Sequence, residues 1–428
     1  MLKPMGNKYL PSWKVTSIKQ IAMFIRGVTF SKNFRHTTSD VGLVPVVTTR
    51  AAQREGIEHD KLYFIPKKLV KRTEQFLKGN DIIISIANSL ELVGRVTPVN
   101  RLDLGLTWGA FLGVLRVQSS EILPSFLYWY LMDSSTQNFF RRNARTTTNI
   151  SNISSDTILS CTIPVPPLAE QKRIVRKIEE LFGLIDRDIQ RLTDTLEQLS
   201  QFRQSVLEKL LNNPVYPQIS FNDGIEKIIG GSTPSKTVSA YYEGHIPFMT
   251  VKDMTSPRPQ DTAWHITQEA VDNCSTHIIP ANTLITATRV GLGKTVLMPF
   301  PVAINQDLKA LVLNKNKVNT RFFEFILNAK TTEIISKSRG TTVKGITLED
   351  FKSIKFYLPT LPEQQKIVDE IEKAFRSADK VQKAVQNALE EAKKLKQSIL
   401  KKAFAGELVP QDPNDKPVNL PVLKGKTK

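Results

Sequence analysis

Two stretches of the chain carry apolar residues at alternating steps of three and four, which is the pattern of a long helix with one apolar stripe. In the first stretch the main apolar positions fall seven apart and are flanked by a second set; they are Ile178, Ile185, Leu192, Leu199 and Val206, with Phe182, Ile189, Leu196 and Leu210. In the second stretch the series is Ile371, Ala374, Ala378, Val381, Val385, Ala388, Ala392, Leu395 and Ile399. We predict two long helices, and because both apolar stripes lie in one chain we expect them to pair with each other.

The two stretches are copies of one sequence. Residues 168–209 align with residues 361–402 without a gap, and 15 of the 42 aligned positions are identical. The same offset of 193 residues relates Thr148 to Thr341, which lie in the segments that precede the stretches. An internal repeat of this kind predicts a module that occurs twice, each copy being a globular domain followed by a long helix.

The globular segments alternate short apolar runs with helical patterns, so we predict mixed α/β domains. In the first domain the predicted strands are Val44–Thr48, Asp81–Ala87 and Phe111–Val117, and the predicted helix is Ser125–Phe140. The second domain repeats this plan, with a predicted helix at Thr320–Ser338. The predicted boundaries are 1–163 for the first domain, 164–213 for the central helix, 214–358 for the second domain, 359–405 for the C-terminal helix and 406–428 for an extended tail without a core of its own.

Composition narrows the class of protein. The chain has 428 residues and a formal net charge of +18. The first 163 residues carry 21 basic and 11 acidic side chains, which is the electrostatic signature of a protein that binds a polyanion such as nucleic acid. The two cysteines, Cys161 and Cys274, form no metal or disulfide pattern. No leader and no membrane-spanning run is recognisable, so we expect a soluble cytoplasmic protein with no membrane partner.

The candidate chemistry lies in basic loops. Cations and short hydroxyls hold phosphates, and arginine also grips guanine through two hydrogen bonds. Loops of this composition follow the predicted helix of each domain, and others lie in glycine-containing turns. The predicted DNA-binding residues of the first domain are Arg95, Arg141, Arg142, Arg145, Thr147 and Thr148. Those of the second are Ser232, Thr233, Lys236, Tyr241, Arg289, Lys294, Lys337, Arg339, Thr341, Thr342 and Lys344.

The sequence contains only partial matches to catalytic motifs. The run Gly291–Thr295 ends like a phosphate-binding P-loop, but that motif requires glycine where Thr288 stands, so we predict a turn between strands. The five histidines show no metal-ligand spacing. We therefore predict no catalytic residue, no metal site and no cofactor bound by this chain.

The combined motifs resemble the specificity subunits of Type I restriction-modification systems. The resemblance rests on Ile163–Gln171 and its copy Leu358–Gln364, the Arg-Gly-Thr-Thr run at 339–342, the Gly-Ser-Thr-Pro run at 231–234, and the segment Gly406–Pro413. In the first domain Thr147-Thr148-Asn149 replaces the Gly-Thr-Thr of the loop, and Arg26–Phe30 matches the Gly-Ser-Thr-Pro run only loosely.

The resemblance implies a non-catalytic reader of double-stranded DNA. Each globular module would be a target recognition domain for one half of a split, asymmetric site, and two antiparallel coiled-coil helices would separate the domains in a pseudo-twofold α+β architecture. Two modification (methyltransferase) subunits would dock on the helices, and restriction (translocase and endonuclease) subunits would join them. S-adenosylmethionine, ATP and magnesium would be bound by these partner subunits.

Two alternatives remain open on the sequence alone. One is a coiled-coil scaffold whose basic domains bind protein or anionic surfaces. The other is an enzyme with an active site that no motif reveals. Binding of the chain to a defined DNA site argues against the scaffold, and activity of the isolated chain would support the enzyme.

Overall fold

The computed structural model describes residues 12–148, 150–340 and 344–420. The chain forms two compact units. The first unit contains the residues up to Arg191 together with those from Ala388 onward, and the second contains Leu192–Asn387. Each unit therefore holds one globular domain and a portion of both long helices.

The first unit is built on a four-stranded antiparallel sheet in the order β2-β9-β5-β7, beside a three-stranded sheet in the order β4-β3-β8. A two-stranded sheet, β1-β12, and a small three-stranded sheet, β10-β11-β6, complete it. The strands are β1 (Lys14–Ser17), β2 (Ala22–Arg26), β3 (Leu43–Val47), β4 (Tyr63–Pro66), β5 (Ile82–Ser85), β6 (Ala87–Asn88), β7 (Val96–Pro98), β8 (Thr107–Trp108), β9 (Leu112–Val117), β10 (Arg145–Thr146), β11 (Ser151–Asn152) and β12 (Thr162–Val165). The helices are α1 (Pro124–Met132), α2 (Ser134–Arg142), α3 (Ser155–Ser160) and the long α4 (Leu168–Leu211), which continues into the second unit.

The buried central strand β5 explains why this sheet has a core on both faces. Successive side chains of a strand point to opposite sides. Ile82 and Ile84 pack with the helices around Phe126, whereas Ile83 packs with Trp108 of the smaller sheet. An uninterrupted run of isoleucine is therefore suited to a strand covered on both faces.

The second unit repeats this plan. Its main sheet has the order β14-β21-β18-β19 and its second sheet the order β16-β15-β20-β17, while β13 pairs with β22. The strands are β13 (Gln218–Ser220), β14 (Ile225–Gly230), β15 (Ile246–Met249), β16 (Trp264–Ile266), β17 (Ile278–Ile279), β18 (Thr283–Ala287), β19 (Thr295–Met298), β20 (Val302–Ile304), β21 (Leu308–Leu313) and β22 (Lys355–Tyr357). The helices are α5 (Phe221–Gly224), α6 (Gln268–Asp272), α7 (Thr320–Ala329), α8 (Thr331–Ser336), α9 (Leu348–Lys352) and the long α10 (Leu361–Phe404), which continues into the first unit.

Two predicted single helices are each broken into two. The helix predicted over Ser125–Phe140 is α1 followed by α2, because Asp133 leaves the helical conformation and its carboxylate accepts the backbone N–H of Ser135 at 2.9 Å. The helix predicted over Thr320–Ser338 is likewise α7 followed by α8, with the break at Lys330. The predictions were wrong about continuity because both halves bury apolar side chains, and periodicity alone does not reveal the break.

The long helices run antiparallel within each unit, as contacts between them show. In the second unit Arg203 of α4 forms an ion pair with Asp379 of α10 at 2.7 Å and lies over the ring of Phe375. In the first unit Lys396 of α10 pairs with Asp186 of α4 and lies over the ring of Phe182. The two sets are copies at the 193-residue offset, so the repeated sequence produces the same cross-helix contacts in both units. This confirms the predicted pairing.

The predicted apolar stripe of α10 is only partly covered. Ile371, Ala378, Val385 and Ile399 are buried. Val381 and Leu395, which were predicted to lie in the same seam, are 44% and 52% exposed. One column of the heptad pattern faces the core of its unit, and the second column lies at the margin of the contact.

A glutamine joins each long helix to its globular domain. Gln171 is fully buried; its Oε1 accepts the N–H of Leu123 at 2.9 Å, and its Nε2 donates to the carbonyls of Glu121 and Pro166. Gln364 makes the same three contacts in the second unit, with the N–H of Asn319 and the carbonyls of Lys317 and Pro359. The repeated Glu-Gln pair is thus a structural joint, because each glutamine satisfies backbone groups at the start of α1 or α7.

The C-terminal segment packs on the first unit. Asp415 forms an ion pair with Arg173 at 2.6 Å, and Gln411 donates to Glu170. Val418 is 4% exposed and belongs to the core around Phe126. The predicted tail therefore contributes to an existing core through residues 406–420.

Candidate nucleic-acid interface

In the second unit, the ends of four strands meet at one edge of the main sheet. Gly230, at the end of β14, lies opposite Lys309 of β21, and Ala287, at the end of β18, lies opposite Leu308. Strand β19 starts at Thr295, opposite Thr286. The loops that leave these strands therefore emerge together. We call residues 230–236, 288–294, 305–309, 337–340 and 344–345 the second edge.

The basic loop after α8 is attached to this edge. Arg339 and Gly345 exchange two backbone hydrogen bonds of 2.8 and 2.9 Å, and Ile346 donates its N–H to the carbonyl of Thr288 at 3.0 Å. A Cβ atom on Gly345 would lie 3.3 Å from Cγ of Arg289, so the bridge packs directly on that side chain. The fold brings the predicted residues of three separate loops to one place.

The cations of the second edge are mostly exposed and weakly held. Arg289 is 3.7 Å from the carboxylate of Asp307, and Arg339 is 3.5 Å from that of Asp350; their side chains are 52% and 79% exposed. Lys236, Lys294 and Lys344 are exposed, and Lys337 is half-buried. Pairs of this kind contribute about 0–1 kcal/mol and leave a cation available to another anion.

The hydroxyl residues of this edge differ in their environment. Thr233 donates to Oε1 of Gln306 at 2.6 Å, whereas the Oγ of Ser232 is buried and has no hydrogen-bond partner among the described residues. Tyr241 is half-buried against the core of the smaller sheet. Thr341 and Thr342 lie outside the described residues. The DNA contacts assigned to all five residues stay predictions.

The first unit has an equivalent edge. Arg26, at the end of β2, lies opposite Gly113 of β9, and Ser85, at the end of β5, lies opposite Leu112. The hairpin β10-β11 attaches through Ser151, which pairs with Asn88 of β6. We call residues 26–30, 86–95, 109–112, 145–148 and 150–151 the first edge.

The predicted polar loop of the first unit contains part of a helix and a short strand. Arg141 and Arg142 are the last residues of α2, and Arg145 belongs to strand β10, so the prediction of a loop was wrong for these three residues. Thr147 and Thr148 are exposed in the turn of the hairpin, and the N–H of Thr147 donates to the carbonyl of Ile150. Arg142 and Arg145 are exposed, while Arg141 donates to Asn138.

Arg95 is turned toward its own domain. Its guanidinium donates to Oε1 of Gln53 at 2.8 Å and to the carbonyl of Thr49 at 2.7 Å. Burial lowers the pKa of this arginine, and the neighbouring Arg54 acts in the same direction. Its contacts support the loop after β3, and a direct DNA contact by Arg95 stays a prediction.

A glycine occupies the same position in both edges, immediately after the first strand of the main sheet. A Cβ atom on Gly27 would lie 2.2 Å from the carbonyl oxygen of Gly109, and a Cβ atom on Gly231 would lie 1.8 Å from that of Ile304. Only glycine permits such an approach. The loose sequence match between Arg26–Phe30 and the Gly-Ser-Thr-Pro run therefore corresponds to a shared backbone contact.

The sequence predictions missed one cation in each edge. In the first edge the cation Arg26 lies on the first strand of the sheet, β2, opposite Gly113 of β9. In the second edge the first strand, β14, carries the glycine, Gly230, and the cation Lys309 lies opposite it on β21. Burial lowers the pKa of Lys309, whose Nζ donates to the carbonyls of Gln306 and Leu308. Neither cation lies in a basic loop, and only the strand register brings them to the edges.

Other candidate chemistry is limited. Gly291 and Gly293 have φ of +72° and +81° in a turn between β18 and β19, which confirms the predicted turn. Burial raises the pKa of the Cys161 thiol to about 12, so it is not an activated nucleophile. The part of the chain that the structure describes contains no group of three or more His, Cys, Asp or Glu side chains arranged to hold a metal ion. Within the same residues, no helix combines the length and apolar character needed to span a membrane.

Known proteins resemble this chain over most of its length. It is 27% identical over 434 residues to the StySPI specificity subunit of Salmonella potsdam. The alignment covers 95% of this chain and 92% of that protein. It is 26% identical over 429 residues to the EcoKI specificity subunit of Escherichia coli K12, and this alignment covers 95% of this chain and 91% of that protein. Both relatives are named as subunits of Type I restriction enzymes.

Solved structures share the fold. A chain from a study of complex assembly and conformational transition in the type I R-M system covers 93% of this chain and 99% of its own, with a TM-score of 0.72 and 19% identity. The HsdS subunit from Thermoanaerobacter tengcongensis has a TM-score of 0.50 at 18% identity, covering 93% and 98%. The family model of the Type I restriction modification DNA specificity domain matches residues 11–198 and 217–391, one match for each copy of the repeat. The chain therefore belongs to the Type I restriction modification DNA specificity family.

Proposed function

We propose that this chain is the DNA-reading subunit of a Type I restriction-modification complex and that each unit reads one half of a split target through its edge. The observation that carries the proposal is the presence of several cationic side chains at the same edge of both main sheets. Arg289 and Arg339 lie together at the second edge, and at the first edge Arg26 ends β2 while Arg145 belongs to the hairpin that attaches to β6. Family membership supports the same role for both units.

The chemistry of the edges suits a duplex. Arginine and lysine hold phosphates, and arginine also distinguishes guanine in the major groove. Because exposed cations such as Arg289 and Arg339 are held only in long surface ion pairs, these edges can exchange such a pair for a phosphate contact at little cost. The two edges carry different side chains, so the two half-sites they recognise differ and the target is asymmetric.

The partners follow from the proposed role. The long helices offer a docking surface for two modification subunits, and the restriction subunits join the resulting complex. S-adenosylmethionine, ATP and magnesium belong to these partners, and the chain itself performs no catalysis. A complex that acts on chromosomal DNA works in the cytoplasm of a bacterial or archaeal cell.

A binding selection tests the proposal. The full chain, in complex with the modification subunits of its own system, is incubated with duplexes carrying a randomised segment, and bound DNA is sequenced. We expect enrichment of one asymmetric site with two defined blocks separated by a gap of fixed length. Recovery of sequences without any common block would contradict the proposal and favour the scaffold alternative, in which the basic domains bind protein or anionic surfaces.

A second measurement separates reading from catalysis. The purified chain without partners is assayed for methyl transfer from S-adenosylmethionine, for DNA cleavage and for ATP hydrolysis. We expect none of these activities. Methyl transfer by the single subunit would show that the chain contains an active site of its own.

A further inference from the structure

The first edge contains exposed apolar side chains as well as cations. Phe111 is 57% exposed, Leu90 is 47% exposed and Ile150 is 43% exposed. An exposed phenylalanine beside two exposed aliphatic residues on one edge of a sheet is uncommon unless the surface has a partner. These residues were not singled out by the sequence patterns.

Backbone contacts bring the three residues to one place. The carbonyl of Phe111 accepts the N–H groups of Ile86 and Ala87 at 2.9 and 3.2 Å. Leu90 lies in the turn that follows Asn88, and Ile150 directly precedes Ser151, the residue that pairs with Asn88. All three therefore surround the short extension β6 at the end of the central strand.

The second unit has different chemistry at the corresponding position. There the carbonyl of Asp307 accepts the N–H of Thr288 at 2.9 Å, as the carbonyl of Phe111 accepts that of Ile86. Asp307 pairs with Arg289, so the second edge presents charge where the first presents an aromatic ring. The exposed apolar residue of the second turn, Val290, stands next to this arginine.

Resting on the proposed function, we propose that Phe111, Leu90 and Ile150 recognise thymine in the half-site read by the first unit, by contacting its C5-methyl group in the major groove. Apolar side chains, including phenylalanine, read that methyl group directly, because it is the one apolar feature a base pair presents there. The exposed cations Arg26 and Arg145 on the same edge hold the flanking phosphates. A duplex matches this combination because it presents the methyl group in the major groove and a regular row of phosphates beside it.

The test removes the methyl group rather than the side chain. Once the target is selected, each thymine of the first half-site is replaced by deoxyuridine, and binding is measured for the full chain with its modification subunits. We expect about a fourfold loss of affinity per contacted methyl group, the effect of burying one such group. Deoxyuridine in the second half-site is the control within the same duplex.

Variants then assign the effect to the edge. Phe111→Ala should bind the natural target more weakly and should lose its sensitivity to deoxyuridine, since the two changes remove the same contact. Leu102→Ala is the matched control, because Leu102 is 86% exposed in the same unit but follows β7, at the opposite end of the sheet. It should leave both the affinity and the deoxyuridine effect unchanged.

Several outcomes would overturn the inference while leaving the proposed function intact. They are a first half-site without thymine, a deoxyuridine effect of equal size in the wild type and in Phe111→Ala, or loss of modification-subunit binding in Phe111→Ala with DNA recognition retained by the remaining complex. Failure of the proposed function would look different, because no defined target would be selected at all.

Discussion

The first and second edges have the same backbone plan and different side-chain chemistry. In both, a glycine packs against a carbonyl after the first strand, and the residue after the central strand donates to a neighbouring loop. At that loop position the first edge has exposed Phe111 and the second has Asp307 paired with Arg289. The comparison teaches that the fold supplies a fixed platform, on which the side chains that face outward can change without cost to the core.

The largest expected effects concern the shared backbone contact. Gly231→Ala places a Cβ atom 1.8 Å from the carbonyl oxygen of Ile304, and Gly27→Ala creates the same clash with Gly109 at 2.2 Å. We expect each to destabilise its unit by about 3 kcal/mol, in the range of overpacking changes. Urea unfolding of the full chain measures the loss. Gly79→Ala, whose Cβ atom would meet no neighbour within 4 Å, should have little effect.

The two glycine variants also test whether the platform is shared. If Gly27→Ala were tolerated as well as Gly79→Ala, the two edges would not have the same backbone plan. At temperatures where the variants remain folded, each should impair recognition of one half-site and not the other.

The next largest expected effects on stability concern the two buried glutamines, Gln171 and Gln364. Gln171→Ala and Gln364→Ala each remove three hydrogen bonds and leave backbone groups unsatisfied, so we expect a loss of about 2 kcal/mol for either variant. Because the joints are copies, the two losses should be similar. Lys172→Ala, at the exposed position after Gln171, is the control. Unfolding curves in which only one of the two variants is destabilised would show that the joints are not equivalent.

The smallest effects concern single surface cations. Arg339→Ala and Lys344→Ala should leave stability nearly unchanged and weaken DNA binding. If each side chain holds a phosphate, the slope of log affinity against log salt should fall by about one unit per variant. Phe111→Ala should weaken binding without changing this slope, because an apolar contact releases no counterion. The slope therefore distinguishes the apolar contact of the first edge from the phosphate contacts of the second. A slope unaffected by both cation variants would mean that the loop is only a turn.

The architecture could be predicted from the sequence because its signals are local and repeated. The spacing of Ile178 and Ile185 predicts one helix, and its copy 193 residues later predicts both the second helix and the repeated module. The isoleucine run at 82–84 lies in a predicted strand, and the structure shows that this strand is covered on both faces. These patterns persist in the structure because burial of apolar side chains determines them.

The composition of the edges could be predicted only in part. Basic loops such as that containing Arg339 stand out in the sequence, but Arg26 and Lys309 reach the edges through strand register, which is set by pairing between distant segments. Arg95 satisfies every sequence criterion and yet turns inward to Gln53. Phe111 resembles any other core residue in the sequence, and only its exposure in the folded chain reveals it.

One measurement tests the central claim, that each unit reads its own half-site, most directly. Residues 1–163 are replaced by the corresponding domain of the EcoKI specificity subunit, and the modified sites in cells carrying the matching modification subunits are determined by methylome sequencing. We predict that one half-site changes to a new sequence while the other half-site stays as it is with the original chain. A target in which both half-sites change together would contradict independent reading by the two edges.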